Sequence, residues 1–209
     1  MIYTFCESCY NKSKSSLCET CTTKARMNIA TKHENTMMVR ETPLLYFCHY
    51  KEPFSKLISI YKGNGTSSLK HLHKILFEAA SRLAECTKHI QSDCIVPIPP
   101  RGINLKGRPN LCLNFAYLFA SLSTRPLFEN LLMNKNFLSS LSTPQKNKNL
   151  MQRVVSPPEY KVYCQNPTKL ILIDDVWTSG STMLAAKRAL EQQGHSVRAM
   201  ICFSKVSDR

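Results

Sequence analysis

An open α/β fold, a mostly parallel sheet flanked by helices behind a small N-terminal cysteine module, is the architecture this sequence predicts. Three observations predict it. Residues 169–204 run as an apolar strand, a hydroxyl-and-glycine turn, an amphipathic helix closed by Gly194 and a second apolar strand, the order of a parallel crossover unit. Upstream, short apolar runs bounded by prolines alternate with helical patterns, which reads as further strands joined by crossover helices. Ahead of both stand four cysteines spaced Cys6-x2-Cys9-x8-Cys18-x2-Cys21.

The 209 residues, 43% of them hydrophobic, suffice for one substantial core with a small module attached. Lys and Arg number 28 against 14 Asp and Glu, and the resulting net charge of +14 favours polyanionic partners such as nucleotides, nucleic acids or acidic membrane surfaces. Charge alone does not choose among them. No stretch approaches the roughly 18 apolar residues of a membrane span, and the polar N-terminus lacks the apolar run of a signal peptide, so a soluble cytoplasmic protein is expected. In that setting the paired cysteines suit two knuckles folded around one ion with tetrahedral thiolate coordination. A structural zinc on Cys6, Cys9, Cys18 and Cys21 is therefore expected, with two disulfides or a redox pair as the alternatives. Cys48, Cys86, Cys94, Cys112, Cys164 and Cys202 lie scattered among apolar neighbours and are expected to be buried small hydrophobes.

Residues 1–25 form the cysteine module, and 26–43, polar and without periodicity, are expected to be a linker to the main domain at 44–209. That domain opens with a strand at "LLYFCHY" (44–50) and a short helix starting at Pro53, a residue suited to a first helical position. Leu69, Leu72, Ile75, Leu76, Ala79 and Leu83 then recur at helical intervals, with Ser67 or Ser68 as N-cap. "CIVPIPP" (94–100) predicts a buried strand delivering its end into a loop, the basic segment "RGINLKGRPN" follows, "LCLNFAYLFASL" predicts a helix and "PLFENLLM" a strand. Residues 139–158 are long for a structureless connection, which points to a functional lid over a solvated insert as the alternative.

The most legible stretch is "LILIDDVWTSGST" (170–182). In an open α/β sheet ligands bind at the carboxyl ends of the strands, where Asp174 and Asp175 fall. Thr178, Ser179, Gly180, Ser181 and Thr182 supply hydroxyls and backbone N–H groups at a helix N-terminus, which with the helix dipole favour a phosphate. Carboxylates facing that phosphate would repel it, so they face hydrogen-bond donors a little away from it. A sugar diol fits, and phosphate with diol describes a ribose 5-phosphate. A paired-Asp Mg²⁺ site, or helix capping with a salt bridge to Arg108 or Arg153, are the alternatives.

The same thirteen residues resemble the phosphoribosyl-pyrophosphate (PRPP) motif of type I phosphoribosyltransferases: four apolar residues, two acids, two apolar residues, then Thr-Ser-Gly-x-Thr. The resemblance implies that Asp174 and Asp175 hold the ribose hydroxyls as the catalytic pair, and that the binding segment runs through Val176, Trp177, Thr178, Ser179, Gly180, Ser181 and Thr182. It implies a type I phosphoribosyltransferase-like sheet and Mg²⁺ arriving with PRPP. Arg101, Lys106 and Arg108 are candidates for the pyrophosphate, with residues 97–102 shaping the loop. The order of parts across nearly the whole chain, from the four-cysteine module through "YKEPFSKLISIYKGNG", "VPIPP", a basic segment and "PQKNKNLMQR" to the PRPP motif, is similar to that of ComF-family proteins linked to natural transformation. Tyr50, Pro53, Leu57, Ile58, Lys62, Gly65, Gln145 and Arg153 keep that family's spacing. The chain departs from the family at Gly107-Arg108-Pro109-Asn110-Leu111, where only the Asn matches, and at Lys148 and Ser156. By this resemblance the protein handles imported single-stranded DNA, works with competence or recombination proteins, and either transfers phosphoribosyl to an acceptor or serves as a non-catalytic adaptor with PRPP as a regulatory or vestigial ligand.

Overall fold

The structure, a computed structural model, describes residues 4–6, 8–14, 17–31, 35–64, 70–100, 110–134, 158–164 and 166–206. In chain order its elements are β1 (Thr4–Phe5), β2 (Lys12–Ser13), α1 (Glu19–Asn28), β3 (Thr36–Val39), β4 (Thr42–His49), α2 (Phe54–Asn64), α3 (Lys70–Cys86), β5 (Cys94–Pro97), α4 (Leu111–Ser123), β6 (Leu132–Asn134), β7 (Tyr160–Val162), β8 (Lys169–Trp177), α5 (Ser181–Gln192) and β9 (Ser196–Lys205). The main sheet runs β3-β4-β9-β8-β5. Strands β4, β9, β8 and β5 are mutually parallel, and β3 closes one edge antiparallel to β4. This is the open, mostly parallel α/β sheet that the alternation of apolar runs and helical patterns predicts.

The interior strand β8 explains the layering. Leu170, Ile171, Leu172 and Ile173 are fully buried, as a strand covered on both faces requires. Alternation splits them: Ile171 and Ile173 join a core with α2, α3 and α4, whereas Leu170 and Leu172 join a second core with α5. In the first, Phe203 of β9 stacks on Phe47 with centroids 5.8 Å apart and meets Phe54 and Phe115 edge-on at 6.1 and 6.0 Å. Leu72, Ile75, Leu76, Ala79 and Leu83 bring the predicted apolar stripe of α3 to the same core, each large aliphatic contributing about 1.5–3 kcal/mol on burial. In the second, Met183, Ala186 and Leu190 form the buried stripe of α5. Helix α5 ends as predicted at Gly194, whose φ of +84° is left-handed. Its N–H donates to Glu191 O and that of His195 to Leu190 O, two bonds that satisfy the final carbonyls.

Three local expectations change. Residues 26–43, expected as linker, hold the end of α1 and the edge strand β3, and the N–H of Ala30 donates to Phe47 O at 2.9 Å. The main sheet thus reaches back before residue 44. The strand expected over 126–133 is interrupted: Leu127 makes one bridge with Ile95, a turn follows, and β6 begins only at Leu132, paired with β7. Of the six scattered cysteines, Cys48, Cys94, Cys112 and Cys202 are buried, whereas Cys86 and Cys164 are half-buried. The expected cap at Ser67 or Ser68 and the lid at 139–157 lie outside the described residues. No helix among the described residues is long and apolar enough to cross a membrane.

Candidate functional site

Two constellations bring chemistry together, one in the N-terminal module and one at the carboxyl end of β8.

The short pair β1–β2 and the start of α1 present Cys6, Cys9, Cys18 and Cys21 to one another, with all four sulfurs within 4.8 Å. Cys9 Sγ and Cys18 Sγ stand 3.6 Å apart. Tetrahedral coordination with metal–sulfur bonds near 2.3 Å sets sulfur–sulfur edges of about 3.8 Å, so the cluster is of the size and donor chemistry that holds a metal ion. All four thiols are free, which leaves the two-disulfide alternative without support. Desolvation pushes the Cys6 thiol up, but N–H groups of Cys9, Cys18 and Ser8, with the Cys9 side chain, outweigh it and bring it down to about 6. Amides aimed at a thiolate in this way suit a metal-bound sulfur. Burial first, then the neighbouring Cys18 sulfur, pushes Cys21 up to about 12. Cys6, Leu17, Cys21 and Ala25 belong to the same core as α2 and α3, and the Asn28 amide donates to Glu52 O at 2.7 Å, so the module is seated on the main domain.

At the other constellation, β8 continues through both acids to Trp177 before the chain turns at 178–180. Strand geometry therefore sends the two carboxylates to opposite sides of the strand end. Asp175 reaches the α2 side, where its Oδ2 accepts from Lys62 Nζ at 2.6 Å. Asp174 Oδ1 accepts from the Asp175 N–H at 2.8 Å. Lys62 sits in the last turn of α2, and neighbouring Tyr61 is buried with its hydroxyl accepting from the Asn114 amide of α4. Desolvation pushes the Tyr61 hydroxyl up, and Asn114 partly offsets it. Cys112, buried at the start of α4, is held well above the usual thiol range by burial first and then by Asp174 and Asp175.

The loop after the acids is shaped by Trp177 and Gly180. Gly180 has φ +73° and stands at the N-cap of α5 with no side chain of its own to cap it, while the Ser181 N–H donates to Ser179 Oγ at 3.4 Å. A Cβ at Gly180 would lie 2.3 Å from Trp177 Cζ2 and 2.4 Å from Cη2. The glycine is therefore required by an indole packed against it as well as by its backbone angle. Trp177 and Val176, which the sequence placed in the binding segment, direct their side chains into the two cores. Thr178 and Ser179 are exposed, and Ser179 Oγ lies 3.2 Å from Ser181 Oγ. Asn110, just before α4, is its N-cap and accepts from the Leu113 N–H at 3.2 Å.

Arg101, Lys106, Arg108, Gly65, Gln145, Lys148, Arg153 and Ser156 lie outside the described residues. Residues 97–100 run beside β8, with the Ile98 N–H donating to Ile173 O at 2.8 Å. Arg108 and Arg153, expected as alternative salt-bridge partners of the acids, lie outside the described residues; within them Lys62 pairs with Asp175. Its only signal in the sequence was the spacing of "YKGNG", which says nothing of what the lysine faces.

By sequence, no family model and no curated protein matches the chain. By structure, it is similar to a purine phosphoribosyltransferase from Pyrococcus horikoshii, with TM-score 0.37 and 12% identity over 63% of this chain and 83% of that one. It is also similar to an adenine phosphoribosyltransferase at TM-score 0.41 and 15% identity, covering 66% and 71% of the two chains. A third similar structure, adenine phosphoribosyltransferase from Leishmania tarentolae, has TM-score 0.41 and 13% identity, covering 81% and 93%.

Proposed function

We propose that this chain is a ComF-like protein that binds PRPP with Mg²⁺ at the carboxyl end of β8, beside a structural zinc held by Cys6, Cys9, Cys18 and Cys21. One observation supports the PRPP reading: two carboxylates straddle the end of an interior parallel strand and lead directly into a glycine-bent helix start whose N-cap residue offers no capping side chain. Carboxylates accept hydrogen bonds from a ribose diol, and the amides and hydroxyls of 178–182 donate to a phosphate at the far end of the same ligand. The separation removes the repulsion that acids and phosphate would otherwise exert on each other. Mg²⁺ arriving with the ligand would supply neutralisation of pyrophosphate charge and would need no dedicated protein cage.

Transfer at this site is displacement of pyrophosphate from the anomeric carbon by an acceptor that brings its own nucleophile. The chain contributes positioning: Asp174 and Asp175 orient the sugar and the loop holds its 5-phosphate, with Arg101, Lys106 and Arg108 as the candidates for binding the leaving group. Calorimetric titration with PRPP and Mg²⁺ tests binding. Saturable binding is expected, and it should fall at least about 100-fold when both acids are replaced by Ala, a loss of about 2.7 kcal/mol. A wild-type protein that takes up no PRPP overturns the reading. Pyrophosphate release with a panel of bases and amines then separates a transferase from a non-catalytic binder.

The net charge of +14 favours a second reading, a cytoplasmic adaptor for single-stranded DNA in natural transformation, in which PRPP is a regulatory ligand. Affinity for single strands should then fall steeply with salt. Undetectable or salt-insensitive binding removes this reading and leaves the first intact.

A further inference from the structure

The last turn of α3 faces β3 and β4 across a groove of about 400 Å³ that shares no residue with the cysteine module or with residues 174–182. Pro43, Leu45 and Ile90 give it apolar walls, and Cys86 and His89 line it from the end of α3. Cys86 is half-buried and carries no disulfide. Opposite it stands Asn35, 3% exposed and fixed from both sides. Its carbonyl accepts from Thr36 Oγ1 at 3.1 Å, and its amide donates to Cys86 Sγ at 3.6 Å. The N–H is thus held on the sulfur.

The other cysteines are placed differently. Cys48, Cys94, Cys112 and Cys202 are buried, and the four of the N-terminal module face one another. Cys164 is half-buried like Cys86, but its thiol donates to Asn166 O at 3.7 Å. Disulfides are attacked by the thiolate, and a donated N–H bonds a thiolate more strongly than a thiol, whereas a carbonyl oxygen bonds only the protonated form. The two accessible sulfurs are therefore set in opposite senses, and it is Cys86 that has the apolar groove beside it. We propose that Cys86 is a modification site for small apolar disulfides, with the groove as the seat of the incoming group. The Cys86 thiolate attacks one sulfur of the reagent, a mixed disulfide forms as the reagent's own S–S bond breaks, and the other half leaves as a thiolate. Cys86 is oxidised and the departing half reduced. The proton lost from Cys86 ends on the leaving sulfur, with His89 on the same wall able to relay it. The half that stays covers Pro43, Leu45 and Ile90, which favours an apolar group over a charged one.

The test exposes the full chain to dipyridyl disulfide and, as the charged comparison, to oxidised glutathione, with each cysteine followed by peptide mass spectrometry. Dipyridyl disulfide should modify Cys86 about tenfold or more faster than Cys164, and that ratio should shrink with oxidised glutathione. Cys86→Ser should lose the fast adduct, and dithiothreitol should remove it from the wild type. Thr36→Trp adds bulk to the groove wall on β3 and should slow dipyridyl disulfide at Cys86 while leaving Cys164 unchanged. Asn35→Leu removes the donor and should slow both reagents at Cys86. Should that variant fail to melt cooperatively, Thr36→Trp and the wild-type comparison decide. Equal rates at Cys86 and Cys164 in the wild type overturn the inference, and so does a ratio that is the same for both reagents and unmoved by Thr36→Trp.

Discussion

The four-cysteine module and the β8–α5 loop are both short constellations written in consecutive stretches of sequence, but they are finished differently. In the module, all four sulfurs converge within 4.8 Å and every donor is directed at one point. In the loop, the acids diverge across a strand end, Thr178 and Ser179 face solvent, and an acid is held by a half-exposed lysine. A constellation that consumes all its donors internally is suited to holding structure together. One that leaves donors facing outward under a rigid support is suited to exchanging ligands. The first has the donors to close around an ion, and the second depends on the sheet, which lends β8 its hydrogen bonds on both sides.

Removing the ion should separate the two most sharply. Small structural zinc sites gain about 10–16 kcal/mol of apparent binding free energy at neutral pH, so chelation, or Cys6→Ser with Cys9→Ser, should remove one equivalent of metal and unfold the module. Metal analysis with limited proteolysis reads this outcome, and stoichiometric zinc retained in the double variant would contradict the assignment. The loop should respond to a far smaller change. Gly180→Ala places a methyl against the Trp177 ring and strains a left-handed backbone, destabilising the chain by about 1–3 kcal/mol and weakening ribose 5-phosphate binding. Adding Trp177→Leu should recover the part due to the ring and not the part due to φ, which a double-mutant cycle in urea separates; strict additivity would mean the contact is relaxed elsewhere. The smallest effect is expected from Tyr61→Phe, about 1 kcal/mol, since it removes the acceptor of the Asn114 amide while keeping the ring buried.

The sequence made both constellations visible because each is carried by near neighbours in the chain. Residues 170–182 combine a buried-strand run, an acid pair and a helix start, and none of these needs a distant partner to be recognised. The α5 boundary was readable for the same reason, through Gly194. Helix α1 was hidden because it buries only Cys21 and Ala25, too few positions to print a period. Strand β3 buries none of its four residues and owes its existence to pairing with β4, a tertiary effect that polar composition conceals. The run 126–133 misled in the opposite sense, since its apolar residues divide between a single bridge and a separate two-stranded sheet. Lys62 with Asp175, and Trp177 beneath Gly180, depend on where side chains meet in space. Composition and spacing carry no record of such meetings.

Trp177 is the chain's one tryptophan, buried and packed against the glycine on which the proposed phosphate loop turns. The protein therefore carries a built-in optical probe at its proposed ligand site, free of background from any second indole. Any ligand that shifts the loop should change the intensity or wavelength of its ultraviolet emission, so binding can be followed in unlabelled protein.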